Sequence, residues 1–228
     1  MDTPPRQNQG ISAYTWLKKD IIRGVFPPGE KLLMSHLKER YDLGVGPLRE
    51  ALSQLVAERM VVAISQRGYR VATMSLAELH DLYDARSQLE GLLLRLAIER
   101  GDDDWEAEIL AHAHTLSKVV EVNGPDEVLD IWDARHKAFH QAIVAGCGSE
   151  HLLRVRESLF DQAERYRHLW LRETVFSEAA LATKREEHAA LVEVILNRDS
   201  PKACAMMREH LMTPVPIIAG VLERRGLL

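Results

Sequence analysis

From Ser75 onward, apolar residues recur every three or four positions, the spacing of amphipathic helices. The pattern predicts helices near 75–100, 102–122, 125–146, 149–172, 177–197 and 200–211, with a short one after Pro216. Breaks fall at Gly101-Asp102, Asn123-Gly124-Pro125, Gly146-Cys147-Gly148 and Asp199-Ser200-Pro201, because Gly, Asn and Pro punctuate helices. No long internal period repeats, so these segments are expected to pack as an antiparallel bundle rather than a solenoid.

The first 73 residues read differently. Ile11 to Val25 carries Tyr14, Leu17, Ile21 and Ile22 on one helical stripe and stops at Phe26-Pro27-Pro28-Gly29. Glu30-Lys31-Leu32 suits a short strand, and Ser35 suits the N-cap of a helix holding Leu37 and Tyr41. Pro47 fits the first turn of a third helix, where its missing N–H breaks no bond. Leu48, Ala51, Leu52, Leu55 and Val56 form that helix's apolar stripe, leaving Arg49, Ser53 and Gln54 able to face a groove. Val61, Val62 and Ile64 favour a strand, Ser65 to Gly68 a turn, and Tyr69 to Val71 a returning strand. Helix, helix, helix, hairpin is the order of a winged helix-turn-helix. The bland alternative is a helix packed on a surface hairpin.

The fold expected is therefore mostly α. A disordered tail covers 1–10, a winged helix-turn-helix with a small β-hairpin 11–73, and a hinge 74–80. An all-α antiparallel bundle over 75–222 serves effector binding and dimerisation. Double-stranded DNA is the partner expected for the first domain. Arg49 and Ser53 would face the groove, while Arg67 and Gly68 at the wing tip would approach a phosphate or the minor groove.

Charge sharpens this division. The net charge of -5 looks wrong for a DNA binder until the chain is split at Thr73. Residues 1–73 hold 11 Lys+Arg against 7 Asp+Glu, and the remainder 18 against 27. The excess of positive charge sits on the proposed DNA module. The absence of a long apolar run and of a signal-like N-terminus points to a cytoplasmic protein with no membrane partner. Cys147 and Cys204 lack metal or redox spacing.

Polar residues on apolar stripes carry the candidate chemistry of the bundle. Leu82, Arg86, Leu89, Leu93 and Leu96 step along one face, so Arg86 needs an anionic partner, either Glu90 one turn later or a ligand carboxylate. Leu129, Trp132, His136, His140 and Ile143 share another face, His188 is in phase with Leu191, Val192 and Ile195, and His210 continues the face of Ala203. A single inward histidine is commonly a satisfied core residue. A set of four on three helices fits one divalent metal. His36, His80, His112, His114, His151 and His168 show no such arrangement and read mostly as surface residues. A histidine-metal hydrolase is the rival reading, and it needs a general base that no residue pattern places beside the site.

The strings IIRGVFPPGEKL, GPLREALSQL and RGYRV resemble the DNA-binding domain of the GntR family of bacterial regulators. That family's usual Val-Ser-Arg-x-Pro is replaced here by Leu43-Gly44-Val45-Gly46-Pro47, so its serine and arginine are missing. The spacing HKAFH, EEHAAL and REHL resembles the FCD effector domains of the FadR-like branch. The resemblance implies a metal such as zinc or nickel on His140, His188 and His210, with His136 in the place of the family's aspartate. WDARHKAFHQAIVAGCGS, RYRHLWLR and MREHLMTPVPII resemble a glutarate-responsive group within that branch. This implies a homodimeric repressor of genes for glutarate and lysine or γ-aminobutyrate breakdown, released when glutarate binds. One ligand carboxylate would complete the metal's coordination while Arg86 clamps the other, with Arg165 and Tyr166 as further effector contacts from helix phase. Lactate, succinate and 2-hydroxyglutarate are the alternative effectors.

Overall fold

The computed structural model describes residues 6–65, 67–122, 124, 127–171 and 178–227. Three helices, α1 (Arg6–Ile22), α2 (Met34–Tyr41) and α3 (Val45–Ala57), pack with a sheet of β1 (Lys31–Leu32), β2 (Val61–Ile64) and β3 (Gly68–Val71). The sheet is antiparallel with order β1-β3-β2, pairing Leu32 with Tyr69 and Val61 with Val71. Leu17, Ile21, Leu37, Leu48, Leu52, Leu55 and Val61 form its dry interior. The expected winged helix-turn-helix is therefore present, with Leu48, Ala51, Leu52 and Leu55 buried on α3 and Arg49, Ser53 and Gln54 exposed.

Two boundaries differ from expectation. Helix α1 starts at Arg6 rather than Ile11, so the tail expected over 1–10 is helical from its sixth residue. Nothing between Gln7 and Gln9 breaks a helix, and Gly10 suits a crowded crossing, since a Cβ there would lie 3.0 Å from the Glu50 carboxylate. Ser35 is not the cap of α2. Leu33, still extended after pairing of Leu32 in the sheet, holds that position without a side-chain cap.

The second domain contains α4 (Leu76–Arg100), α5 (Asp103–Ser117), α6 (Ala134–Ala145), α7 (Glu150–Leu171), α8 (Glu178–Leu196), α9 (Ser200–Met212) and α10 (Val215–Arg224). Ser75, Asp102 and Asp199 cap α4, α5 and α9 by accepting backbone N–H groups, each worth about 1 kcal/mol. Helix α5 ends at Ser117, short of the expected 122, because Val119 turns inward and packs in the core. The helix expected from 125 to 146 is interrupted. Val128–Asp133 is π-helical, and only Ala134–Ala145 is regular α-helix. A π turn carries extra residue width, which changes the direction of side chains on either side of it. The last helix starts at Val215, with Pro216 inside its first turn.

The two domains meet along α1 and α7. Lys18 Nζ lies 2.6 Å from Asp161 and 2.9 Å from Glu58, so one ammonium joins α1, the end of α3 and α7. Arg23 pairs with Asp130. At the hinge, Arg165 donates to the carbonyl of Ala72, and the Tyr166 hydroxyl donates to Glu78 at 2.6 Å while accepting the N–H of Ser75.

Candidate functional site

Four histidines converge where α6, α8 and α9 face one another. His136 and His140 are one turn apart on α6, His188 comes from α8 and His210 from α9, and one ring nitrogen of each lies within 4.8 Å of the others. Trp132 stacks on His136 with ring centres 4.7 Å apart, and Phe139 packs edge-on to His140 and His188. Burial, followed by mutual repulsion within the cluster, holds His136 and His140 well below the ordinary imidazole range. Burial first, then His210 and Lys184, lowers His188 to about 3. All three rings are thus neutral at pH 7 and keep a lone pair.

The donor set fits a divalent cation. His136 Nε2 and His140 Nε2 are 3.1 Å apart, close to the separation that two nitrogens at roughly 2.0–2.1 Å from zinc adopt. Buried His188 Nε2 has no hydrogen-bond partner, an orphan that ordinarily costs on the order of 1–3 kcal/mol. Outside the cluster, Glu187 lies 3.5 Å from His210 Nδ1, the arrangement by which a carboxylate fixes the tautomer of a ligating imidazole. The hydrogen bond to His210 leads the causes that bring the Glu187 carboxyl down to about 2.

Three described cavities touch the cluster; one of about 320 Å³ lies behind His188, and the other two border His210 and differ in charge. The larger of these two, about 200 Å³, is lined by Glu187, Glu209 and His210, and its carboxylates repel an anion. The smaller, about 40 Å³, lies between His136, His210, Arg86, Arg167, Lys184, Tyr83 and the rings of Trp132 and Trp170. Arg86 faces the core as its helical phase predicts. Glu90 does not neutralise it alone. Arg156 Nε sits 3.0 and 2.9 Å from the two Glu90 oxygens, while Arg86 Nε is 3.7 Å away and makes no hydrogen bond.

Sequence phase missed Arg167, Tyr83 and Lys184. Arg167 bridges Asp133 and Glu164, and His168 lies 3.0 Å from the other Asp133 oxygen. His168 is therefore buried in an ionic network, not a surface residue. Burial opposes ionisation of Asp133, but Arg167 and His168 outweigh it and hold the carboxyl below its usual range. The π turn places Asp133 in this network rather than among the four histidines. Around Phe160, four cations (Arg86, Lys137, Arg156 and Arg167) lie within 6 Å of the ring. The carboxylates paired with them are Glu90, Asp133 and Glu164, one fewer.

Arg165 and Tyr166, expected beside the effector, stand elsewhere. Their polar groups reach Ala72, Ser75 and Glu78 at the hinge, and neither lines the cavities beside the histidines. Residues Ala163 to His168 are all buried, so this stretch of α7 is enclosed on every side and a single apolar stripe does not select its inward face. On the opposite domain, Arg49 and Ser53 are exposed along α3, and Arg67 is exposed at the wing tip. Gly68 has φ +91° with open space around it, a conformation that favours glycine.

The chain matches the FCD domain over residues 81–213 and the gntR family of bacterial regulatory proteins over residues 11–71. It is 58% identical over 208 residues to the HTH-type transcriptional repressor GlaR of Escherichia coli (strain K12), covering 91% of this chain and 94% of that one. It is 34% identical over 204 residues to the HTH-type transcriptional regulator BphR of Paraburkholderia xenovorans (strain LB400), covering 89% and 82%. The solved structure of E. coli McbR/YncC shares the fold, with a TM-score of 0.76 at 20% identity over 96% of this chain and 99% of that one.

Proposed function

Because this chain belongs to the GntR family, as a DNA-binding transcriptional repressor with an FCD effector domain, we propose that its four-histidine cluster holds a divalent metal and receives a small dicarboxylate, glutarate, that releases the operator. The observation that carries this reading is the meeting of four imidazole donors with a cavity whose buried side chains are cationic. Zinc or nickel suits nitrogen donors, and the ion would supply a Lewis-acidic centre for one carboxylate. His136, His140, His188 and His210 would hold it, with Glu187 orienting His210.

The cationic side of the cavity favours the second carboxylate. Arg86 offers an unsatisfied Nε–H on a planar fork, and Arg167 and Lys184 add charge. A cavity of about 40 Å³ does not hold glutarate as it stands, so Lys184 and the arginines must rearrange when the effector enters. That need supports coupling. An anion that draws Arg167 competes with Asp133 and Glu164, and α7, which carries Arg167, also carries Asp161, Arg165 and Tyr166 at the domain junction. Effector binding thus strains contacts that position the winged domain. A hundredfold loss of operator affinity requires about 2.7 kcal/mol of such coupling.

The reading includes a cytoplasmic homodimer that sets two α3 helices in successive major grooves, with Arg49, Ser53, Arg67 and Gly68 at the DNA. The test is calorimetry with glutarate, succinate, 2-hydroxyglutarate and lactate, before and after chelation, paired with operator gel shifts. Glutarate is expected to bind most tightly, to lose affinity on chelation or in His188→Ala, and to dissociate the operator complex. Glutarate that leaves operator binding untouched would remove its inducer role.

A further inference from the structure

A cleft with a buried arginine in its wall lies between the domains. It measures about 260 Å³ and opens between the end of α1 with Phe26 and Pro27 on one side, and Met74, Leu169 and Leu227 on the other. Its walls are largely hydrocarbon. Its charged lining consists of Arg165, Arg225 and Arg23, the last paired with Asp130 outside the cleft, with no Asp or Glu among the described residues that line it.

Arg165 is the informative member. It is 2% exposed, yet its partner is a neutral acceptor, the Ala72 carbonyl, and it forms no ion pair among the described residues. The carboxylate of Glu78, the nearest acidic influence on it, is engaged by the Tyr166 hydroxyl at 2.6 Å. A guanidinium has five N–H donors in a planar fork, and removing one from water without a counter-anion is costly. The missing component is an anion. An apolar cleft with a cation at its wall matches a molecule with a hydrocarbon body and one carboxylate.

We propose that the interdomain cleft is a second ligand site, separate from the histidine cluster, that takes an amphipathic monocarboxylate with Arg165 as its clamp. The volume admits a chain of about six to eight carbons. Ile22 and Phe26 from the winged domain and Leu169 from α7 sheath the chain, so the ligand touches both domains at once. Its occupancy fixes their relative orientation through the same Ala72 segment that Arg165 grips in the free protein.

Octanoate is the probe, measured by calorimetry on the full chain, with 1-octanol as the neutral analogue. One octanoate per chain is expected, with affinity unchanged by chelation and unchanged in His188→Ala. Arg165→Gln is expected to weaken it at least tenfold, and Arg165→Lys to restore part of the loss. Ile22→Trp, which fills the cleft from its half-buried α1 wall and leaves Arg165 in place, is expected to weaken it comparably. 1-Octanol should bind at least tenfold more weakly than octanoate. Competition between octanoate and glutarate, loss of octanoate binding in His188→Ala, or undiminished binding in Ile22→Trp would overturn the proposal.

Discussion

Replacing Tyr166 by Phe separates a hinge role from an effector-binding role. The substitution keeps the ring, which is 1% exposed, and deletes a hydroxyl that donates to Glu78 at 2.6 Å and accepts from Ser75 N–H at 3.3 Å. Glu78 is solvent-exposed and regains water, so loss of that bond costs towards the lower end of the usual range. The Ser75 N–H is partly buried and loses its acceptor. Together the losses come to about 1–2 kcal/mol, or a fall in Tm of about 2–8 °C for a chain of this size. The hydroxyl lies at the hinge, so glutarate affinity is expected to stay within about twofold, while the glutarate concentration needed to release operator shifts. Thermal unfolding, calorimetry and gel shifts on one preparation check all three. A tenfold loss of glutarate affinity, about 1.4 kcal/mol, with Tm unchanged would refute the placement of Tyr166 at the hinge.

Glu187→Gln is expected to weaken metal binding about tenfold in competition with a chromophoric chelator, the lower end for such a supporting carboxylate because its side chain is 41% exposed. Arg67→Ala should lower operator affinity across sequences and reduce the slope of log K against log salt by about 1, measured by fluorescence anisotropy. Asp133→Asn should cost about 3 kcal/mol at pH 7, since it leaves Arg167 and His168 with one carboxylate fewer. The folded carboxyl of Asp133 titrates below its unfolded value, so the wild-type advantage is full above about pH 4 and is lost as pH falls through the folded value. Urea titrations at pH 7 and pH 3 should therefore show the gap between wild type and variant narrowing in acid.

The elements most legible in the sequence were those set by one-sided burial. Leu48, Ala51, Leu52 and Leu55 face a core while Arg49 and Ser53 face outward, so a 3.6-residue period describes α3 well. The same reasoning brought His136, His140, His188 and His210 to one point, because each lies in phase with apolar neighbours on its helix. It failed on α7, where Glu164, Arg165, Tyr166, Arg167 and His168 are all buried and the apolar period no longer distinguishes inside from outside. Charges there are held by Asp133, Ala72 and Glu78, partners distant in sequence that no local pattern announces. The π turn before α6 was equally invisible. It is a change in backbone hydrogen-bond register within residues of ordinary helical composition, and it decides that Asp133 meets Arg167.

The winged domain keeps its own interior, in which residues from Ala13 to Val71 pack on one another and share no buried member with the bundle's clusters. Such a module is portable. Residues 6–71 could be exchanged for the corresponding piece of another regulator of this fold without opening either core, provided that Lys18 still meets Asp161 and Glu58 and that Arg165 still finds the Ala72 carbonyl. A chimera built on those contacts would report the bundle's effector at a different operator. The junction between Ala72 and Leu79 is where a reader of DNA and a reader of metabolites can be recombined.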